Sequence, residues 1–397
     1  MNICYVAPDV ALPHYRGSST HVYEVSKNLA NQGQNVVVIS RRLRSSEPVW
    51  ERMDGFLVYR TFQGLLGEPP LTSYQQSHLD SASDGLVRRL YGFYLTSFRA
   101  LQLGIEVAVA VRSFGIDLVF ERETALGAGA VCSEVMGVPL VLEVIGGRYS
   151  SLSLKRAARV ISYSSQMVEG RVPTDRLDVV SAAVDIGLFS PNPSRGASVR
   201  SQLGIGAAPL VGYVGTFPVY HGVETLLKAG RGLIAKEPNT KFLLVGPYYA
   251  DARNRARELG IEKNVLFTGP VSYQSVPDYM NACDVLCAPY RPEFSSFRSR
   301  FGMTSPLKIM EYMACMKPVV STRIHPIPEI MRDGEEGLLV DPGDAEGLQA
   351  ALERLLGDPR LRERLSKAAR ERAVEDFTWK ALAVRFSAIL DRAIKES

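Results

Sequence analysis

The chain has 397 residues, 46% of them apolar and 22% charged, which suits two soluble domains with sizeable cores. Its formal charge is only +4, spread as 20 basic against 18 acidic side chains in residues 1–200 and 26 against 24 thereafter. That balance excludes nucleic acid as an expected partner, and no apolar run is long enough for an integral membrane segment.

The N-terminus enters a strand at Asn2-Ile3-Cys4-Tyr5-Val6 without the basic and apolar regions of a signal peptide. Cysteines 4, 132, 283, 287 and 315 are scattered in apolar settings, and the spacing of Cys283 and Cys287 matches no paired zinc knuckle. They read as reduced core residues, so a cytoplasmic protein is expected. Strands are predicted at Ile3–Val6, Val36–Ile39, Leu57–Arg60, Leu118–Phe120, Leu140–Glu143, Val160–Ser162 and Val179–Ser181, alternating with helical patterns that include Thr20 to Gln32. This alternation predicts a parallel sheet with helices on both faces and ligands beyond the carboxyl ends of its strands.

Three N-terminal features stand at such ends. The first is the irregular loop after Ala7-Pro8, where Gly17 permits close backbone approach and Ser18 to Thr20 offer caps to the next helix, with His21 beyond them. A ligand loop and an ordinary strand-to-helix turn both fit it. The second is Glu121-Arg122-Glu123 after the strand Leu118–Phe120, which reads either as a site element or as an exposed charged strand end. The third is Glu143, which closes another strand and is followed by Val144-Ile145-Gly146-Gly147. Residues 61–84 have no clear period and suit an insertion or a mobile loop. A long helix is predicted from Gly85 to Phe114, with Tyr91, Tyr94 and Phe98 on its buried stripe.

Ser190 to Gly196, rich in Pro and Ser, is the strongest linker signal. After it Leu210-Val211-Gly212-Tyr213-Val214-Gly215-Thr216 gives a strand and a glycine turn, and a helix starts near His221-Gly222. Strand, turn and helix in that order present backbone donors to phosphate. Ser305-Pro306 then reads as a helix start, with Leu307 and Lys308 in the first turn and Glu311 one turn on, near Lys308. A cation, free backbone donors and a carboxylate suit a nucleotide sugar, with phosphate at one end and vicinal hydroxyls at the other. A solvated Lys and Glu on an amphipathic helix is the other reading of the same residues.

The run Ser305-Pro306-Leu307-Lys308-Ile309-Met310-Glu311-Tyr312-Met313-Ala314 resembles the donor-binding signature of GT-B retaining glycosyltransferases of family 4. The resemblance extends along nearly the whole chain. It implies two Rossmann-like parallel-sheet domains facing across a cleft. Residues 1–190 would form the acceptor domain, braced by a C-terminal helix over 378–397, and residues 197–377 the nucleotide-sugar domain. It implies donor contacts from Gly17, Ser18, Gly215, Thr216, His221, Ser305, Pro306 and Leu307. Glu311 would hold the ribose hydroxyls, and the backbone from Gly269 to Val271 would receive the base. Lys308, Arg122 and Arg300 would act at the reacting centre, Arg122 standing where relatives often have a histidine.

Three family positions are changed here. Met303 replaces the first Glu of the usual Glu-x7-Glu, and Thr216 and His221 stand where Arg and Lys usually clamp the diphosphate. The segment from Gly146 to Leu154 is shorter than in relatives. The implied reaction moves a sugar from a nucleotide diphosphate, with a UDP-sugar as the default, to an acceptor hydroxyl with retention and without a metal or other cofactor. A non-catalytic nucleotide-sugar binder and a GT-B epimerase are the alternatives. Peripheral membrane contact is left open.

Overall fold

The computed structural model describes residues 1–13, 17–61, 101–109, 111–124, 126–145, 149–247, 250–293 and 306–397. These residues divide into two compact units, Met1–Val180 with Ala383–Ser397, and Ser181–Leu382.

The first unit is built on an eight-stranded sheet. Its strands are β1 (Asn2–Ala11), β2 (Asn35–Arg41), β3 (Trp50–Met53), β4 (Phe56–Thr61), β5 (Leu118–Arg122), β6 (Leu140–Val144), β7 (Arg159–Ser162) and β8 (Leu177–Val179). Their order is β3-β4-β2-β1-β5-β6-β7-β8, so the chain reverses its winding direction at β1, between β2 and β5. All pairings are parallel except β3 with β4, a hairpin closed by Asp54-Gly55 with both residues at positive φ. The sequence reading missed β3, a short edge strand without a run of apolar residues. It also ended β1 at Val6, whereas the strand continues to Ala11 through a register shift in its pairing with β2. Pro8 lies in that shift, where the ladder requires no donor from it.

The first helix is Gly17–Asn31, so Gly17 opens the helix rather than preceding it. Of the predicted helix from Gly85 to Phe114, residues 101–109 are helical and Arg112–Phe114 form one tighter turn. The aromatic stripe of Tyr91, Tyr94 and Phe98 lies outside the described residues. The C-terminal helix Trp379–Lys395 packs most of its length in this unit: Phe386 meets the edge of Phe120 at 5.4 Å, and Ser387 accepts a hydrogen bond from Gln34.

The second unit carries β9 (Leu210–Val214), β10 (Lys241–Val245), β11 (Val265–Gly269), β12 (Val285–Ala288), β13 (Val319–Thr322) and β14 (Leu338–Val340). All pairings are parallel, in the order β11-β10-β9-β12-β13-β14. Along β9 the side chains alternate between two cores: Leu210 and Val214 join the one that buries Tyr312 and Met313, Val211 and Tyr213 the one that buries Leu226 and Leu352. A sheet covered on both faces explains why its strands read as unbroken apolar runs. Here the winding reverses at β9, which places the crevice beyond the ends of β9 and β12. Residues 190–196, expected to join the domains, lie within this unit, where Asn192 caps the helix Pro193–Gln202.

All five cysteines are free and buried. Among the described residues no helix is long and apolar enough to cross a membrane.

Candidate active site

In the second unit the end of β9, the loop after it and the helix Leu307–Ala314 come together. The helix is held to β9 by Tyr312, whose hydroxyl accepts from the Val214 amide at 2.9 Å and donates to the Val214 carbonyl at 3.1 Å. This fixes where the polar residues one turn before Tyr312 stand. Ser305 lies outside the described residues. Pro306, expected in the first helical turn, is the residue before the helix: its ψ of 71° is not helical. The half-buried Lys308 stands in the first turn of the helix, beside amides that have no partner within the helix.

The Lys308 ammonium donates to the Tyr213 hydroxyl at 3.0 Å and stands 3.2 Å from Nδ1 of His221. It lies 4.6 Å from the Tyr213 ring centre and 5.2 Å from that of Tyr290. Gly215 makes room for it: the residue has φ +147°, and a Cβ there would fall 3.0 Å from the ammonium nitrogen. Burial pushes Lys308 down to about 7, opposed by the carboxylate of Glu311, and pushes Glu311 up to about 7, opposed by Lys308. Each acts on the other electrostatically from one helical turn away.

The loop from Gly215 to Gly222 is pinned at both ends. The Thr216 carbonyl accepts from the Tyr213 hydroxyl and lies 2.9 Å from Nδ1 of His221. Gly222, at φ +71°, sits so close to the Pro289 carbonyl beyond β12 that a Cβ would fall 1.7 Å from its oxygen. The predicted donor contacts Gly215, Thr216 and His221 therefore do gather around Lys308. His221 is buried, and desolvation with the adjacent ammonium lowers it to about 3, so it is a neutral ring and not a replacement cation. Gly269 joins the same turn region through its carbonyl, which accepts from the Gly246 amide. Val271 packs partly buried against the core. Arg298, Arg300 and Met303 lie outside the described residues.

In the first unit the expected charged strand end is not exposed. β5 runs through Arg122, so Glu121 lies within the strand, fully buried, and accepts from the Gly129 amide at 3.0 Å. Burial raises it to about 7. Glu123 is buried as well and accepts from the Ile145 amide at 2.9 Å. Arg122 is 12% exposed and 3.7 Å from Asp9. Burial works against its charge, but Asp9, Tyr5, Glu143 and Glu123 together keep it above its usual value.

On the same face of the sheet Glu143 is fully buried. One oxygen lies 2.7 Å from Nε2 of His21 and 3.3 Å from the Tyr163 hydroxyl, and the other accepts from Tyr5 at 2.9 Å. Burial alone would raise Glu143, yet His21, Arg122 and Tyr5 outweigh it and hold the carboxyl below its usual range. The sequence marks both His21 and Glu143 without pairing them, although they are 122 residues apart and belong to neighbouring elements of one sheet end. Gly17 and Ser18 stand in the first turn of the helix that carries His21. Gly146 and Gly147 lie outside the described residues. Among the described residues no group of three or more His, Cys, Asp or Glu is arranged to hold a metal.

Residues 208–358 match the family model described as glycosyl transferases group 1. The chain is 32% identical over 230 residues to D-inositol 3-phosphate glycosyltransferase of Corynebacterium glutamicum, covering 55% of this chain and 52% of that protein. It thus spans about half the length of the first curated relatives it matches. It is 28% identical over 425 residues to MMP alpha-(1->4)-mannosyltransferase of Mycolicibacterium hassiacum, covering 96% of each. Among solved structures, HepE of Anabaena in complex with UDP superposes with a TM-score of 0.68 at 19% identity, over 99% of this chain and 100% of that one. The chain has the GT-B fold.

Proposed function

We infer, from a glycosyl transferases group 1 domain at residues 208–358 of a GT-B fold, that the protein is a retaining glycosyltransferase. It moves a sugar from a nucleotide diphosphate to an acceptor hydroxyl, without a metal, and a UDP-sugar is the first donor to try. The observation that carries this reading is the pairing of Lys308 and Glu311 on one helix beside the Gly215 turn. The ammonium and the first helical amides face one direction in which a diphosphate is stabilised. Glu311, one turn on, accepts from two ribose hydroxyls. The names of the relatives support glycosyl transfer as the class of reaction.

The residues supply electrostatics and no nucleophile. As the bond from the anomeric carbon to the phosphate oxygen lengthens, positive charge develops on the sugar and negative charge on the leaving diphosphate. Lys308 and the helix amides stabilise the latter. The departing phosphate takes the acceptor's proton on the same face, which retains configuration. Arg122 and the elements around Glu143 are assigned to the acceptor side.

The test is turnover of a panel of UDP-, GDP- and ADP-sugars, with and without acceptor alcohols, in excess EDTA. Nucleotide release that EDTA leaves unchanged, with a product of the donor's anomeric configuration by proton NMR, is the expected result. Turnover lost to EDTA and restored by Mg²⁺ overturns the metal-free mechanism. An isomerised donor identifies an epimerase, and thermal protection without turnover identifies a binder.

Glu311→Gln is expected to weaken nucleotide binding about tenfold, roughly 1.4 kcal/mol, because an amide reproduces only part of the carboxylate's acceptor pattern. The rate at saturating donor should change much less. Calorimetry with the free nucleotide and steady-state rates separate the two. Normal affinity with no turnover would move Glu311 from recognition into the chemical step.

A further inference from the structure

Lys308 poses a physical problem that its role in the proposed donor site does not answer. A cation in a desolvated place needs a partner, yet a carboxylate in direct contact would cancel the charge that an incoming diphosphate is to meet. Among the described residues, the groups touching the ammonium are aromatic. Tyr213 offers its hydroxyl oxygen at 3.0 Å and its ring at 4.6 Å, and Tyr290 offers its ring at 5.2 Å. Both tyrosines are buried, at 0% and 2% exposure. They stand on or just beyond β9 and β12, the adjacent strands between which the winding of the sheet reverses.

We propose that Tyr213 and Tyr290 are positioning residues that form an aromatic cage for the Lys308 ammonium, with His221 as its neutral third wall. The inference rests on the donor reading for its purpose, but the cage itself can be tested without a donor. Ring quadrupoles and a hydroxyl oxygen stabilise a cation without neutralising it. The ammonium keeps its full charge for an anion arriving over Gly215, and no ion pair has to break first. The Tyr213 proton is directed to the Thr216 carbonyl, which leaves the phenol oxygen to accept from Lys308. The cage also explains the changed family position at 221. A lysine there would bring a second ammonium toward the first, since His221 already stands 3.2 Å from it.

Among the described residues, the titratable groups at Lys308 are Glu311 on its own helix, Tyr213 on β9, His221 on the following loop and Tyr290 beyond β12, with Tyr220, Cys287 and Tyr312 around Tyr213. Glu311 alone among them favours the charged lysine by its own charge. The cage acts beside that charge through the Tyr213 oxygen and the two rings.

The experiment titrates Lys308 directly in the full chain, by NMR of ¹³Cε-labelled lysine, with the resonance assigned by its loss in Lys308→Met. Tyr213→Phe keeps the ring and removes the acceptor oxygen, and Tyr290→Leu removes the other ring. Each is expected to lower the proton affinity of Lys308 about tenfold, with unfolding midpoints measured alongside. If Tyr213→Phe folds normally and Lys308 titrates as in the unmodified chain, the cage is refuted. Should Tyr290→Leu fail to fold, Tyr213→Phe and Tyr290→Phe decide the matter, since the latter keeps the ring and should leave the titration in place.

The second arm uses UDP and GDP binding by calorimetry. His221→Lys is expected to weaken binding at pH 7, and Tyr213→Phe to weaken it in the native background but not in Lys308→Met. A gain in affinity from His221→Lys, or an equal loss from Tyr213→Phe in both backgrounds, overturns the proposal. If neither nucleotide binds the native chain while the titration still responds to Tyr213→Phe, the cage stands and the donor reading fails.

Discussion

Lys308→Ala should slow sugar transfer about a hundredfold, which corresponds to roughly 3 kcal/mol of lost transition-state stabilisation. The positions that supply diphosphate cations in the resembling family hold Thr216 and a neutral His221 here. The charge that develops on the leaving group then falls to Lys308 and the helix start beside it. Lys308→Met keeps the aliphatic stem between the tyrosines and loses the ammonium, so it should be nearly as slow. If Arg298 or Arg300 carries the charge instead, Lys308→Ala stays within about twofold while Arg300→Ala abolishes turnover. Single-turnover rates of these variants on one donor, at saturating concentration, distinguish the two.

Glu143→Ala should destabilise the first unit by about 3 kcal/mol, the scale expected when one member of a buried charged network is deleted. Tyr5, Tyr163 and His21 all direct polar groups at this one carboxylate. Its removal takes their shared acceptor from a place almost closed to water, with Tyr5 at 0%, Tyr163 at 4% and His21 at 9% exposure. Glu143→Gln preserves the volume and part of the acceptor capacity and should cost less than half as much. The pH dependence has a definite sign. Because the folded carboxyl is held below its usual range, its contribution is present above the unfolded pKa and is lost as pH falls through the folded one. Urea unfolding of the native chain and both variants, at neutral pH and in acid, reads all of this. A native-like midpoint for Glu143→Ala would mean that water replaces the carboxylate and that the network contributes little.

Both predictions depend on contacts that chain order does not reveal. Local pattern was sufficient for the strand at β9 and the glycine turn after it, because a parallel sheet buried on both faces writes its strands as short apolar runs. It was sufficient for the Lys308 and Glu311 spacing too, since residues three apart on a helix must be neighbours. Where local pattern misled, a long-range term had overridden it. One of the two readings of Glu121 and Glu123 was an exposed strand end, because charge normally marks solvent, yet inside the fold the backbone amides of Gly129 and Ile145 each donate to one of these carboxylates.

From its own sequence, then, this protein determines two parallel-sheet domains, a glycine turn after β9 and a cation with a carboxylate at one helix start. Each of these follows from interactions within a few residues. The pairing of His21 with Glu143, the neutrality of His221 and the tyrosines around Lys308 were decided only in three dimensions. Desolvation and hydrogen-bond partners set the charge of a buried group, and those partners come from strands and helices far apart in the chain.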